Sequence, residues 1–157
     1  MKLSQKKKVG ITVRPNLGYY VQNINDIVQD TEKIGEEMNP HYEIIRTAID
    51  TNELANLTPE KIVEVVDVFA AGTKKYKAML GQIEKLRPPA KVMGIHKKFQ
   101  RSYEKYVAGC DEMIASLQTE NGIDTKAFDA SETKQDEATD EISFSIQRMT
   151  NLLLGKK

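Results

Sequence analysis

Residues 57–117, LTPEKIVEVVDVFAAGTKKYKAMLGQIEKLRPPAKVMGIHKKFQRSYEKYVAGCDEMIASL, decide the fold that we expect for this chain. The stretch opens with Thr58, which suits a helix N-cap, and Pro59, whose missing N–H costs nothing in the first helical turn. Apolar or small residues then recur three and four positions apart, a spacing that places them on one face of a helix. They are Ile62, Val65, Phe69, Gly72, Tyr76, Met79, Ile83 and Leu86. The pattern predicts a helix over residues 59–87.

The double proline in the middle of this stretch predicts a tight turn between two helices. A residue that precedes proline avoids the helical backbone region, so Arg87-Pro88-Pro89 ends the first helix, and Pro89 can open the next. A second apolar stripe with the same spacing predicts a helix over residues 89–119. Its members are Val92, Ile95, Phe99, Tyr103, Tyr106, Cys110, Met113 and Leu117. Two helices of about 45 Å that are joined so closely must pack antiparallel.

Two further stripes predict helices on either side of this hairpin. The upstream stripe predicts one helix from about residue 17 to residue 50, kinked near Pro40 because proline lacks the N–H of an interior helical residue. Two shorter helices are the alternative. Downstream, Asp129 and Glu132 have the spacing of a capping box and predict a helix that frays at Gly155.

The four helical segments and the short links between them predict an all-α fold. The expected architecture is an up-down-up-down antiparallel four-helix bundle whose first helix is long and kinked near Pro40. We expect a single helical-bundle domain over residues 16–157. Residues 1–15 are expected to form a basic, flexible N-terminal arm.

The charges are distributed very unevenly, although the formal net charge of the chain is zero. Residues 1–14 carry five Lys/Arg and no acid, and residues 74–105 carry ten bases and two acids. Residues 30–64 carry nine acids and three bases, and residues 111–141 carry ten acids and two bases. In an up-and-down bundle the basic stretches would meet at one end and the acidic stretches at the other. Helix dipoles account for only part of this pattern, because the helix predicted over 89–119 begins with bases and ends with acids.

The basic end of such a bundle is the candidate docking patch. Its members are Lys74, Lys75, Lys77, Lys85, Arg87, Lys91, Lys97, Lys98 and Arg101. The sequence favours a non-enzymatic interaction or adaptor protein that docks an acidic protein or an anionic membrane surface. Weak nucleic-acid binding and a small molecule held between the helices are the alternatives, and self-association is open because oppositely charged ends can stack. A surface that is merely solvated explains the same charges.

No catalytic, cofactor or metal motif is recognisable, and we expect no enzyme activity, no cofactor and no metal. A carboxylate-bridged metal site in a bundle would need Glu-x-x-His motifs, which the sequence lacks. His41 and His96 are far apart in the sequence, and His96 is interpreted as a residue at the boundary of the core. Cys110 lies on an apolar stripe and is interpreted as a small buried side chain.

The hairpin resembles one found in uncharacterised bacterial helical-bundle proteins, several of them extracytoplasmic or lipid-anchored. The matching features are the Leu-Thr-Pro-Glu helix start at 57–60, the Leu…Pro-Pro turn at 86–89 and the histidine at position 96. They cover about 60 of the 157 residues. The resemblance implies a helical-bundle fold and no particular activity.

The apolar run in the first fifteen residues, Val9–Val13, is shorter than the roughly 7–15 residues of a signal-peptide core. No other stretch approaches the ~20 apolar residues of a membrane-spanning helix. We therefore expect a cytoplasmic location, with an extracytoplasmic one as the alternative.

Overall fold

The computed structural model describes residues 17–155, and its elements are four α-helices and two short 3-10 turns. The helices are α1 (Leu17–Asp50), α2 (Pro59–Lys85), α3 (Met93–Ser116) and α4 (Thr125–Leu153). No β-strand occurs in residues 17–155, so the prediction of an all-helical chain is confirmed there. The predicted arm at residues 1–15 lies outside the described residues.

The start of α2 is built as the sequence predicts. The Thr58 side chain accepts a hydrogen bond from the Lys61 amide at 3.1 Å, and Pro59 occupies the first helical position. Such a cap stabilises a helix by about 1 kcal/mol. The helix ends at Lys85, since Leu86 has an extended backbone.

The link between α2 and α3 is longer than predicted, and the expectation that Pro89 opens the next helix was wrong. Pro89 keeps an extended backbone with ψ 151°, and a 3-10 turn over Ala90–Val92 follows before α3 begins at Met93. The two prolines hold the chain extended for several residues, because a residue before proline avoids the helical region and each proline fixes its own φ.

Helix α1 continues through Pro40 as one helix of 34 residues, which excludes the alternative of two shorter helices. Pro40 leaves the Glu36 carbonyl without its helical donor. Burial on both sides of the proline compensates, because Ile34 and Ile45 are buried on the same stripe. Between them Met38 packs so closely on α2 that a Cβ at Gly72 would overlap the Met38 sulfur.

Helix α4 begins five residues earlier than its predicted capping box, which was a wrong prediction. The Asp124 side chain accepts from the Ala127 amide at 3.0 Å, so Asp124 is the cap. Phe128, which precedes the predicted cap at Asp129, is fully buried in the first turns of the helix. Asp129 and Glu132 lie inside α4 and bind Arg46 of α1 instead.

The core consists of two apolar clusters that share the partly buried Met38. The larger cluster lies towards the α2–α3 link and includes Tyr20, Ile83 and Phe99. The smaller one lies towards the other two links and includes Phe69 and Phe128. Packing is most extensive between α3 and α4, and α2 packs on both α1 and α3. These contacts are consistent with the expected bundle.

Candidate functional site

His96 marks the place where segments from all four helices meet. Its Nδ1 lies 2.7 Å from the Tyr20 hydroxyl of α1, and its Nε2 lies 3.0 Å from the Ile83 carbonyl of α2. The same Tyr20 hydroxyl lies 3.4 Å from the Met149 sulfur of α4. The start of α1, the end of α2, the start of α3 and the end of α4 are therefore neighbours.

The two partners of His96 fix its tautomer. A carbonyl oxygen can only accept, so Nε2 carries the proton and donates to Ile83, and Nδ1 accepts from the Tyr20 hydroxyl. The Ile83 carbonyl lies in the last turn of α2, where carbonyls lack the usual helical donor. His96 thus supplies a donor to the end of the neighbouring helix. Burial lowers the pKa of His96, although the hydrogen bond to Ile83 opposes this.

The interpretation of His96 as a boundary residue was wrong, because only 4% of its surface is exposed. The helical spacing of residue 96 placed it at the flank of the apolar stripe. Its two hydrogen-bond partners are far away in the sequence, and no local pattern announces them. The burial of Cys110 is confirmed, and burial raises the pKa of its thiol to about 12.

Eight of the nine residues of the predicted docking patch are exposed, and Lys98 is half-buried with its ammonium 5.8 Å from the centre of the Phe144 ring. Six of the nine surround the α2–α3 link and the first turns of α3. We call these six the basic end: Lys85, Arg87, Lys91, Lys97, Lys98 and Arg101.

The other three patch residues lie further along α2, towards the middle of the molecule. Lys77 is about 12 Å along the helix from Lys85 and forms an ion pair with Asp111 at 3.1 Å. Lys75 lines a shallow groove together with Asp30, Lys33 and Glu37 of α1. Lys77 is the only patch residue with an ion pair among the residues that the structure describes.

The acidic regions, by contrast, are partly neutralised by cross-helix ion pairs. Arg46 binds Asp129 and Glu132 of α4, and it also pairs with Asp50 of its own helix. Further pairs connect α3 and α4, and they join Lys105 to Glu137 at 3.3 Å and to Glu141 at 3.0 Å, and Lys134 to Glu112 at 2.7 Å. None of the six residues of the basic end has an ion-pair partner in residues 17–155.

Exposed apolar side chains lie beside the basic end, which the sequence did not lead us to expect. Leu17 and Tyr19 at the start of α1 are 49% and 66% exposed, Met93 at the start of α3 is 47% exposed, and Leu154 after α4 is 65% exposed. Their positions follow from the meeting of these four helix termini around His96. Met93 is absent from the apolar stripe predicted for residues 89–119, and this absence is the signal in the sequence that its side chain faces solvent.

A cleft of about 260 Å³ reaches into the core on the acidic side of the molecule. Its buried floor comes from α2 and α3 and consists of Phe69, Thr73, Cys110 and Met113. Its more exposed rim comes from α1, α4 and Tyr106, and consists of Gly35, Met38, Asn39, Tyr42, Tyr106, Glu132, Gln135 and Asp136. We call this feature the four-helix cleft.

Among residues 17–155 no three His, Cys, Asp or Glu side chains are placed to share a metal ion. Within the same residues, no helix has both the length and the apolar character that crossing a bilayer requires.

Comparison of the chain with known proteins adds no relative. No family model matches it, and neither the curated proteins nor the solved structures give a significant match. The resemblance of the hairpin to bacterial bundle proteins therefore stays a prediction.

Proposed function

We propose that this chain is a non-enzymatic interaction protein that docks through its basic end onto an anionic surface, and that this surface is a lipid bilayer with acidic headgroups. The observation that carries the proposal is the combination of cations that have no described ion-pair partner with exposed apolar side chains at the same four helix termini. An acidic protein would need the charges alone, whereas a bilayer also takes up apolar side chains at its interface.

The charges are numerous enough for such binding. A Lys or Arg near an acidic membrane contributes about 1 kcal/mol, so six cations provide up to about 6 kcal/mol at low salt. The exposed side chains of Leu17, Met93 and Leu154 add apolar area that would enter the headgroup region. Two such contributions together are what stable peripheral binding requires.

The proposal includes the finer arrangement of the helices. We infer an up-down-up-down antiparallel bundle. Two hydrogen bonds near the middle of the helices support it, one between the Thr31 and Tyr103 hydroxyls of α1 and α3, and one from the Gln135 side chain of α4 to the Gly109 carbonyl of α3. The meeting of the four helix termini around His96 supports it as well. We also infer that α1 bends at Pro40, because the Glu36 carbonyl lacks its helical donor there.

The non-enzymatic part of the proposal is supported by the surroundings of His96 and Cys110, two side chains of the types that often act in catalysis. Both nitrogens of His96 are occupied by structural hydrogen bonds. The Cys110 thiol is buried and stays protonated at neutral pH because burial raises its pKa to about 12.

Vesicle co-sedimentation tests the proposal. Vesicles that contain about 30% phosphatidylserine should retain the protein at low salt and release it at high salt, since screening weakens attraction to an acidic surface. Neutral phosphatidylcholine vesicles should retain little. The variant Lys91→Glu/Lys97→Glu should bind acidic vesicles at least about tenfold more weakly.

The matched control is Lys33→Glu/Lys126→Glu, which changes the net charge equally at exposed positions within the acidic stretches. It should bind like the wild type. Equal binding by the two variants, or no binding of the wild type to acidic vesicles, would overturn the proposal.

A further inference from the structure

We propose that the four-helix cleft binds a small organic cation, namely a protonated amine that carries a compact apolar body. This site is separate from the basic end, and the inference does not depend on the proposed docking function. It rests on the volume of the cleft, on its mainly apolar floor, and on the Asp136 carboxylate at its rim, which has no ion-pair partner among the described residues.

The floor of the cleft suits an apolar body. Phe69 and Met113 are each 5% exposed, and Met38 lines the wall above them. Methionine side chains are flexible and polarisable, so they adapt to ligands of different outline. The Thr73 hydroxyl and the Cys110 thiol are the only side-chain polar groups among the four floor residues. The part of a ligand that contacts the floor can therefore be apolar.

The volume restricts the size of the ligand. About 260 Å³ is slightly below the roughly 300–1,000 Å³ of pockets that hold drug-sized molecules. A single ring or a short branched chain with one amino group fits this limit. A nucleotide or a larger cofactor does not.

The rim has the charge that a cation requires. Asp136 and Glu132 both line the cleft, and they are one helical turn apart on α4. Asp136 has no Lys or Arg as an ion-pair partner in the described part of the chain. Partial desolvation at the rim first, and then repulsion from Glu132 and Asp140, raise the pKa of Asp136. A bound ammonium group would relieve this repulsion.

An anionic ligand is disfavoured, because the nearest cation is already engaged. Arg46 donates hydrogen bonds to Asp50, Asp129 and Glu132, and its Nε lies 3.4 Å from the Tyr42 hydroxyl. Four of the five guanidinium N–H groups are thereby engaged, and three of these four donate to carboxylates.

Aromatic faces and amide oxygens complete the recognition of a cation. Tyr42 and Tyr106 lie on the rim and Phe69 lies on the floor, and aromatic rings attract an ammonium group within about 6 Å. The side-chain oxygens of Asn39 and Gln135 can accept the remaining ammonium protons.

Three probes of one shape and different charge test the inference: 2-phenylethylamine, its neutral analogue 2-phenylethanol, and the anion phenylacetate. Each is titrated into the full-length protein while backbone amide resonances are followed by NMR. The amine should shift resonances of cleft residues such as Gly35, Thr73 and Gln135, with a Kd of about 1 mM or below for a ligand of this size. The alcohol should bind about tenfold more weakly, and the anion more weakly still.

The variant Asp136→Asn should weaken binding of the amine about tenfold, because it removes the uncompensated carboxylate. The control Asp140→Asn lies one turn further along α4 and outside the cleft, and it should retain the wild-type Kd within about twofold. Both positions are exposed, so both variants should fold. Equal binding of the three probes, shifts that are not confined to the cleft, or equal losses in the two variants would overturn the inference.

Discussion

Substitution of Tyr20 by Phe tests the buried cluster that holds the four helix termini together. The substitution removes one oxygen and keeps the ring, which is 1% exposed in the wild type. His96 Nδ1 then loses the donor at 2.7 Å and becomes a buried acceptor without a partner among the described residues. An unsatisfied buried polar group costs about 1–3 kcal/mol, so the free energy of unfolding should fall by that amount.

Denaturant unfolding followed by circular dichroism measures this change. The loss should shrink in the His96→Ala background, since no acceptor is then left unsatisfied, and the difference between the two backgrounds gives the coupling energy. Tyr19→Phe is the matched control. The Tyr19 side chain is 66% exposed, so this substitution should change the free energy of unfolding by no more than about 0.5 kcal/mol.

The same cluster predicts a pH dependence whose sign is fixed. The pKa of His96 is lowered in the folded protein, so the unfolded chain takes up this proton at a higher pH than the folded chain does. The contribution to stability is complete above the usual His pKa of about 6.5, and it is lost as the pH falls from there towards the lowered value, by at most about 1.4 kcal/mol per pH unit.

In the His96→Ala variant the free energy of unfolding should fall less steeply as the pH is lowered. His41→Gln, which replaces the other of the chain's two His, serves as the control. A Tyr20→Phe variant as stable as the wild type, or a His96→Ala variant with an unchanged slope, would refute the assigned hydrogen bonds.

Three further predictions concern single contacts. Asp124→Ala should destabilise the protein by about 1 kcal/mol in denaturant unfolding because it removes the α4 cap, whereas an intact stability would mean that Asp129 is the cap after all. Gly72→Ala should stabilise the protein by less than the roughly 1 kcal/mol expected for this exchange inside a helix, because the Met38 sulfur must move away from the new Cβ, and the full gain should appear in the Met38→Ala background in the same measurement; additive effects of the two substitutions would contradict the close approach. Cys110 should react with a thiol reagent at pH 8 far more slowly in the native protein than after denaturant is added, because burial keeps its thiol protonated; equal rates would contradict the raised pKa.

The features that the sequence predicted correctly depend on near neighbours along the chain. The Thr58 cap needs only Lys61 three residues later, and the end of α2 needs only the prolines that follow. The apolar stripes are also local, because helical geometry places residues three or four apart on one face. The buried state of Cys110 followed from its place on such a stripe.

The wrong cap of α4 arose because two local solutions were equally good. Asp124 and Asp129 can each cap a helix, and nothing nearby in the sequence ranks them. The burial of Phe128 against Arg46 and Tyr42 of α1 draws the first turns of α4 into the core, and this leaves Asp124 as the cap. Asp129 is then free to bind Arg46.

The docking patch was predicted as nine residues. In the structure six of them form the basic end, and the other three lie further along α2. The segmental charges predicted that bases surround the α2–α3 link. They did not predict that Lys77 pairs with Asp111, because these two residues come together only when α2 and α3 pack. The exposed apolar side chains beside the basic end likewise depend on which helix termini become neighbours.

By itself the sequence determined the number of helices, most of their limits and the segregation of charge, since each of these follows from residues within a few turns of one another. Only the tertiary structure decided that His96 is buried between Tyr20 and Ile83, that the four-helix cleft exists and that Asp136 lies at its rim without an ion-pair partner among the described residues. The reason is physical: burial, desolvation and cross-helix hydrogen bonds are properties of pairs of surfaces, and residues 76 positions apart carry no local mark of the surface that they will share.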